Sequence, residues 1–207
     1  MSIIVVPTSA EGFSWTPVHT VAGVMTSATY YSSVRVPATE LVGEENRGWP
    51  LITNQLNHER VALTSAAPVM SALAEVRDWA ASAKLASGQR VIDAEWVQLN
   101  LARVHAKAEF LKLVNWKIAA DGGALGPAAA SATKVFGTEF AVEAYRLLME
   151  VLGANAQVRS GSPGEVLAGR IERAHRAALI LTFGAGTNEI QRDIIAAAGL
   201  GLPLAPR

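Results

Sequence analysis

The chain has 207 residues, 50% of them hydrophobic and 17% charged, which allows a generous core in one compact domain or in a small sheet joined to a helical bundle and excludes a disordered or collagen-like chain. Its 18 Lys and Arg balance 18 Asp and Glu, so no long-range field draws it to nucleic acid or anionic lipid. The charged fraction lies below the roughly 25% of ordinary globular chains, which predicts apolar surface left over from the monomer and buried in an oligomer.

The β signal comes first. Ile3 to Val6 is β-branched and stopped by Pro7, and Tyr30 to Pro37 is β-rich again, with turn residues between them. From about Gly48 the pattern becomes helical: 50–86, 93–120, 130–152, 165–182 and 187–198 are rich in Ala, Leu, Glu, Arg and Lys. Asp121-Gly122-Gly123, Arg159 to Gly164, Gly184-Ala185-Gly186 and a tail from Gly199 to Pro206 interrupt them. The fold class expected is mainly α: an antiparallel, four-helix-bundle-type domain over 48–207, preceded by a short, incomplete antiparallel β segment over 1–47. That β segment is too short to bury two sheet faces, so it leaves open edges. The helix over 93–120 carries one apolar stripe at Val97, Leu101, Val104, Ala108 and Leu111 and a second, roughly opposite, at Trp96, Leu99, Ala106, Phe110 and Leu113. One can face the bundle and the other a second subunit or a further layer of the same chain.

Chemistry is concentrated in two places. On the first long helix, at about 100° per residue, Ile52, Leu56, Leu63, Ala66 and Met70 fall within an arc of roughly 80° that also contains Glu59. A carboxylate among aliphatic side chains is desolvated and pushed toward the range of a general base; the alternative is a glutamate that reaches water or pairs with Arg60 or His58. Gly184-Ala-Gly186-Thr187-Asn-Glu189 lies between two helices, where open backbone amides can hold a phosphate or a ligand oxygen. A plain joint with Thr187 as N-cap and Glu189 in the first turn explains the same residues. Arg170, Arg173 and Arg176 read as a solvated face offset by Glu172.

The absences narrow the field. With no cysteine, disulfides, thiolate nucleophiles and Cys-ligated metals are excluded, which suits a cytoplasmic protein. His58-Glu59 lacks the second histidine of a metalloprotease helix, and His19, His105 and His175 show no ligand spacing, so no metal site is expected. Phosphate-loop, dinucleotide-fold and serine-elbow motifs are missing. The start lacks the basic region of a signal peptide, and no apolar run approaches the roughly 20 residues of a membrane span.

Three segments together resemble one family. Val34-Arg-Val-Pro37 with Leu41-Val-Gly-Glu-Glu-Asn-Arg-Gly48, then Leu56-Asn-His-Glu59-Arg60, then Phe183-Gly-Ala-Gly-Thr-Asn-Glu-Ile-Gln-Arg192 are similar to the C-terminal half of an acyl-CoA dehydrogenase. The resemblance implies the end of that family's middle β domain, its C-terminal helical domain, and a turn close to flavin and substrate. It also implies FAD as cofactor, an acyl-CoA thioester as substrate and an electron-transfer flavoprotein or similar acceptor. In the family a glutamate removes the α-proton while the β-hydrogen leaves as hydride to the flavin. Many members keep it in the final turn, where this chain has Ala185; the isovaleryl- and long-chain-type members place it one residue before an arginine on the first helix of the domain, which is Glu59 here, with Arg60 orienting the site. Gly186, Thr187 and Glu189 then fall beside the cofactor. Two further family positions that reach a neighbour's FAD are altered: an Arg-x-x-Phe-Gly aligns with Lys84-Leu-Ala-Ser87-Gly88, and a glutamine before Leu-Gly-Gly aligns with Glu150. Such replacements are expected where unlike dehydrogenase subunits assemble and only some flavin sites are kept, as in actinobacterial sterol side-chain breakdown. Family subunits are nearly twice this long, so the chain is expected to be a fragment, a shortened reading, or a half-length subunit that needs a partner. The alternative to an active dehydrogenase is an accessory subunit retained for oligomerisation.

Overall fold

A computed structural model describes residues 1–121 and 126–203. The break expected at Gly122-Gly123 and the end of the expected tail lie outside those residues. The architecture is the one anticipated: a bundle of helices behind a small antiparallel β segment.

The β segment is two separate two-stranded ladders. Strand β1 (Ile3–Ile4) pairs with β4 (Leu41–Val42), and β2 (Phe13–His19) with β3 (Met25–Tyr31), Phe13 opposite Tyr31 and His19 opposite Met25. This corrects the expectation of strand over 30–37, because the ladder stops at Tyr31 and Ser33 takes a positive φ of 53°. Strand β2 lies in the stretch expected to hold turns, and it contains Pro17, which a two-stranded ribbon tolerates because each strand keeps an open edge needing no donor. Gly12 is required at the foot of this hairpin: its φ is +86° and a Cβ there would lie 2.1 Å from the Ser32 carbonyl oxygen. The β segment meets the helices where the Gly48 amide donates to the Met1 carbonyl and Arg176 Nη1 donates to the Val21 carbonyl.

The helices are α1 (Gly48–Ala62), α2 (Ala67–Ser82), α3 (Glu95–Ala120), α4 (Pro127–Leu152), α5 (Arg170–Ala178) and α6 (Asn188–Ile194). The single helix expected over 50–86 is therefore two. Pro68 lies in the first turn of α2, where its missing N–H costs nothing but where it closes off any helix from upstream. Ala66 and Met70 consequently do not share the α1 face with Glu59. The helix expected from 165 starts at Arg170, because Leu167, Ala168 and Gly169 all take positive φ.

Helix α4 is the axis of the bundle and touches α1, α2, α3, α5 and α6. Its Leu148 packs in one core with Val76 of α2 and Val97, Val104 and Leu111 of α3. Thus the first stripe of α3 faces inward. The second is left largely open: Trp96, Leu99, Phe110 and Leu113 are 46–57% exposed, with Phe110 meeting Phe136 of α4 edge-on. Among the described residues no helix is long and apolar enough to cross a membrane.

Candidate active site

Helix α1 ends against the turn that precedes α6. Arg60, 8% exposed, is the one side chain buried on α1. Its Nε donates to the Ala185 carbonyl at 3.5 Å and its Nη1 to Asn57 Oδ1 at 2.8 Å. Burial lowers the guanidinium's pKa, with the Glu59 charge beside it acting in the opposite direction; an arginine stays protonated regardless. Glu59 is half-buried and its Oε2 accepts from Gln55 Nε2 at 3.2 Å. Its neighbours on the wheel, Ile52, Leu56 and Leu63, are half-buried too, so this face of α1 is less enclosed than the sequence suggested.

The turn itself has an unusual backbone. Ala185 and Gly186 take φ of 55° and 92°, two left-handed residues in succession, a conformation that persists for alanine only when its surroundings hold it. They do. Besides Arg60, the fully buried Gln191 donates through Nε2 to the carbonyls of Ala185 and Gly186 at 3.3 and 3.4 Å, and its Oε1 accepts from Ser131 of α4. No peptide here is cis, so each carbonyl directed into the bundle sends the following N–H the opposite way. The Gly186 and Thr187 amides accordingly face outward, and neither has an acceptor among the described residues. Thr187 caps α6 by accepting from the Ile190 amide. Glu189 bends back, and its own amide and the Thr187 hydroxyl hold its carboxyl below the usual range; the first turn of α6 is thus already satisfied by the chain itself.

Below the turn lies a polar cluster that the sequence reading passed over. Lys134 of α4 is 0% exposed, and its Nζ donates to the Thr182 carbonyl at 3.0 Å and to Asn188 Oδ1 at 2.7 Å. Asn188 Nδ2 donates to Thr138 and Glu139, and Glu139 also receives Arg192. A signal was present: Lys134 interrupts the buried face Ala130, Phe140, Ala141, Ala144 and Leu148 of α4, as Glu59 interrupts its own.

Lys84 and Glu150 lie at the other end of the molecule. Glu150 is 16 residues beyond Lys134 on α4, about 24 Å along the axis at 1.5 Å per residue. Its carboxylate accepts from Arg146 and, at 3.1 Å, from Asn100 of α3, so its charge is already met. Lys84 is exposed in a tight turn after α2, bridged to Arg90. The structure thus brings Glu59, Arg60, Gly186, Thr187 and Glu189 into one region and leaves Lys84 and Glu150 apart from it. Arg170 and Arg176 are paired with Glu75 and Glu172.

A four-helix core with a polar clamp on its last turn, led in by a β remnant, defines a class. A sequence profile of the acyl-CoA dehydrogenase C-terminal domain matches residues 46–200, and the chain belongs to the acyl-CoA dehydrogenase family, of which it represents the C-terminal half. Among its relatives it is 67% identical to Acyl-CoA dehydrogenase FadE26 and 41% to Acyl-CoA dehydrogenase FadE29, both of Mycobacterium tuberculosis, in each case over 100% of this chain and 53% of the relative. The chain therefore spans about half the length of the curated relatives it matches. Among solved structures, the ChsE4-ChsE5 complex from Mycobacterium tuberculosis superposes with a TM-score of 0.91 at 68% identity, over 99% of this chain and 54% of that one. The Tcur3481-Tcur3483 steroid ACAD gives 0.89 at 47% identity, over 99% and 52%.

Proposed function

We propose that this chain supplies the catalytic half of an FAD-linked acyl-CoA dehydrogenase site, in which an acyl-CoA thioester is oxidised between its α and β carbons. The observation that carries the reading is the junction of α1 with the last turn: Glu59 stands beside an arginine whose side chain holds the Ala185 carbonyl, while Ala185 itself has no acid to offer. Glu59 is the base that takes the α-proton, and Gln55 is its hydrogen-bond partner at rest. Arg60 fixes the turn through the Ala185 carbonyl and so sets where the turn stands relative to Glu59. The outward Gly186 and Thr187 amides hold a ligand oxygen, and Glu189 keeps Thr187 oriented. These donors, with two buried cations behind them, suit the anionic and carbonyl-bearing groups of FAD and a thioester. The flavin, when bound, supplies the acceptor for the β-hydrogen.

The partner is another dehydrogenase-like subunit, and the exposed stripe of α3 is the surface that meets it. The similar structures bear names of two-component assemblies, one of them called a steroid ACAD, which supports a steroid-bearing acyl-CoA over a simple fatty one. A cytoplasmic site and reoxidation by an electron-transfer flavoprotein complete the reading. One observation favours an accessory role: Glu150, in place of a neutral glutamine, is engaged with Arg146 and Asn100, and Lys84 replaces a guanidinium, so this chain lends little to a neighbour's flavin. Glu59→Gln in a flavin-loaded assembly separates the two. Turnover lost by a factor of a hundred or more, on the order of what a positioned general base contributes, with flavin content retained, is the expected outcome. Undiminished turnover removes Glu59 from the chemistry and leaves the accessory role.

A further inference from the structure

Lys134 enters the chemistry above only as a charge behind the turn, and its own contacts ask for a more specific role. Its two partners are a backbone carbonyl and a side-chain amide rather than a carboxylate, so the loss of water from its charge is offset less fully than in a buried ion pair. If the position needed only to be filled, methionine would fill it at nearly the same length without that cost. What an ammonium adds is donors directed at fixed points. Here they reach Thr182, the last residue before the turn, and Asn188, the first residue of α6, so one side chain closes both ends of the turn onto α4. Asn188 is held in place by Thr138 and Glu139 of the same helix. Arg60 and Gln191 grip only the middle. Two successive left-handed residues, one an alanine, need such over-determination to keep their form.

Resting on the function proposed above, we propose that Lys134 is a positioning residue: by tying both ends of the 183–187 turn to α4 it sets where the outward Gly186 and Thr187 amides stand relative to Glu59. The carbonyl of Thr182 and the amide of Asn188 are its targets, and the turn is its output. Losing the ammonium frees both ends, while the α4 core residues further along the same face, from Ala141 to Leu148, keep their packing.

The experiment compares Lys134→Met and Lys134→Gln with the parent in the flavin-loaded assembly. It reads hydrogen exchange at the Gly184 and Gln191 amides, which are bonded at the two ends of the turn, with Val104 of α3 as the core reference, alongside kcat, KM and flavin content. In Lys134→Met, exchange at Gly184 and Gln191 rises roughly ten- to a hundredfold, as expected for losing hydrogen bonds from a charged donor, while Val104 is unchanged. With it kcat falls, KM for the acyl-CoA moves little and flavin is retained; Lys134→Gln, which keeps donors on a shorter arm, recovers part of both. Unchanged exchange at the two ends overturns the proposal. So does faster exchange with kcat untouched, which leaves Lys134 a structural residue only. If Lys134→Met loses the core reference as well, Lys134→Gln decides alone by the same two readings. Failure of the dehydrogenase reading shows elsewhere, as turnover retained by Glu59→Gln, and leaves the exchange result standing.

Discussion

Gly137 lies on the face of α4 against which the end of α1 rests, and a Cβ there would sit 2.5 Å from Thr64 Cβ and 2.7 Å from its Cγ2. Gly137→Ala therefore sets two effects against each other. In an isolated helix the change stabilises by about 1 kcal/mol, because glycine loses more backbone entropy on folding. In the bundle, carbon atoms settle at roughly 3.5–4.0 Å, so α1 and α4 must part by about 1 Å or more. Thr64 cannot turn aside: the closer clash is with its Cβ, it is 1% exposed, and its hydroxyl donates to the Val61 carbonyl at 2.8 Å. Inserting a methyl into such a site costs about 1–3 kcal/mol, and a double clash puts Gly137 at the upper end. The net expectation is a loss of about 1–2 kcal/mol, read by calorimetry as a melting point lower by roughly 2–8 °C at the 2–4 °C per kcal/mol of a chain this size. Function should suffer more than stability. Arg60 is one helical turn from Thr64, and its contact with the Ala185 carbonyl is already 3.5 Å long; an outward step of α1 breaks it, and misplacement by about 1 Å can cost on the order of a hundredfold in rate. A Gly137→Ala protein as stable as its parent, or more so, would refute the close packing of α1 on α4, since helix propensity alone would then govern.

Lys134 gives stability a pH dependence of definite sign. Burial holds its ammonium below the ordinary lysine value; Glu189 and Glu139 oppose this and Arg60 reinforces it. Between that lowered value and the roughly 10.4 of an unfolded lysine, the unfolded chain keeps a proton that the folded chain has given up, so this residue's contribution to stability rises as pH is raised. Denaturant melts across alkaline pH should therefore show a shallower rise, or a steeper fall, for Lys134→Met than for the parent, and parallel curves would contradict it. On α3, Leu99→Glu combined with Leu113→Glu should change the stability of the chain alone by no more than about 0.5 kcal/mol per surface site. It should nonetheless lower the mass of the assembly by light scattering; an unchanged mass excludes this face from the interface.

The helical half of the fold was legible because its inward faces obey one period over many turns. Val97, Leu101, Val104, Ala108 and Leu111 were read as a stripe and are buried as one. Where the sequence misled, a local effect overrode the period. The apolar spacing of α1 runs unbroken through Leu63, Ala66 and Met70, yet the helix stops at Ala62 and restarts ahead of Pro68, because one residue without an N–H outweighs a repeating pattern. In the β segment, 13–19 falls in the turn region between two β-rich stretches, yet it forms β2, with Pro17 accommodated in a ribbon with open edges. For the candidate site, Glu59 stands out as a charge on an apolar arc and Arg60 as its neighbour in the family resemblance, and the structure brings Arg60 to the turn. It also divides their roles: the buried member is the arginine, and the glutamate stays half open. Lys134 obeyed the same rule and was passed over, because the alanine-rich run around it reads as plain helix until burial is known.

The two buried cations share a feature that bears on how the turn works. Neither Arg60 nor Lys134 is spent on a carboxylate; each donates to a main-chain carbonyl of the same segment, at Ala185 and Thr182. Buried charges used in this way add little to stability, since apolar side chains of like volume commonly do as well, and their effect is on direction instead. A trans peptide whose oxygen is drawn inward must present its next N–H outward, so a cation beneath a turn orients donors on the far side of it. Gln191 repeats the device at Gly186, and the Glu189 carboxylate occupies its own amide. The result is a pair of outward amides fixed from the side that faces the bundle. It follows that Arg60→Lys, which keeps the charge but replaces the planar fork with a single point, should loosen the Ala185 grip and leave the Lys134 anchor points intact. Exchange at Gly184 and Gln191 would then rise less than in Lys134→Met, and the reverse order would place control of the turn in Arg60.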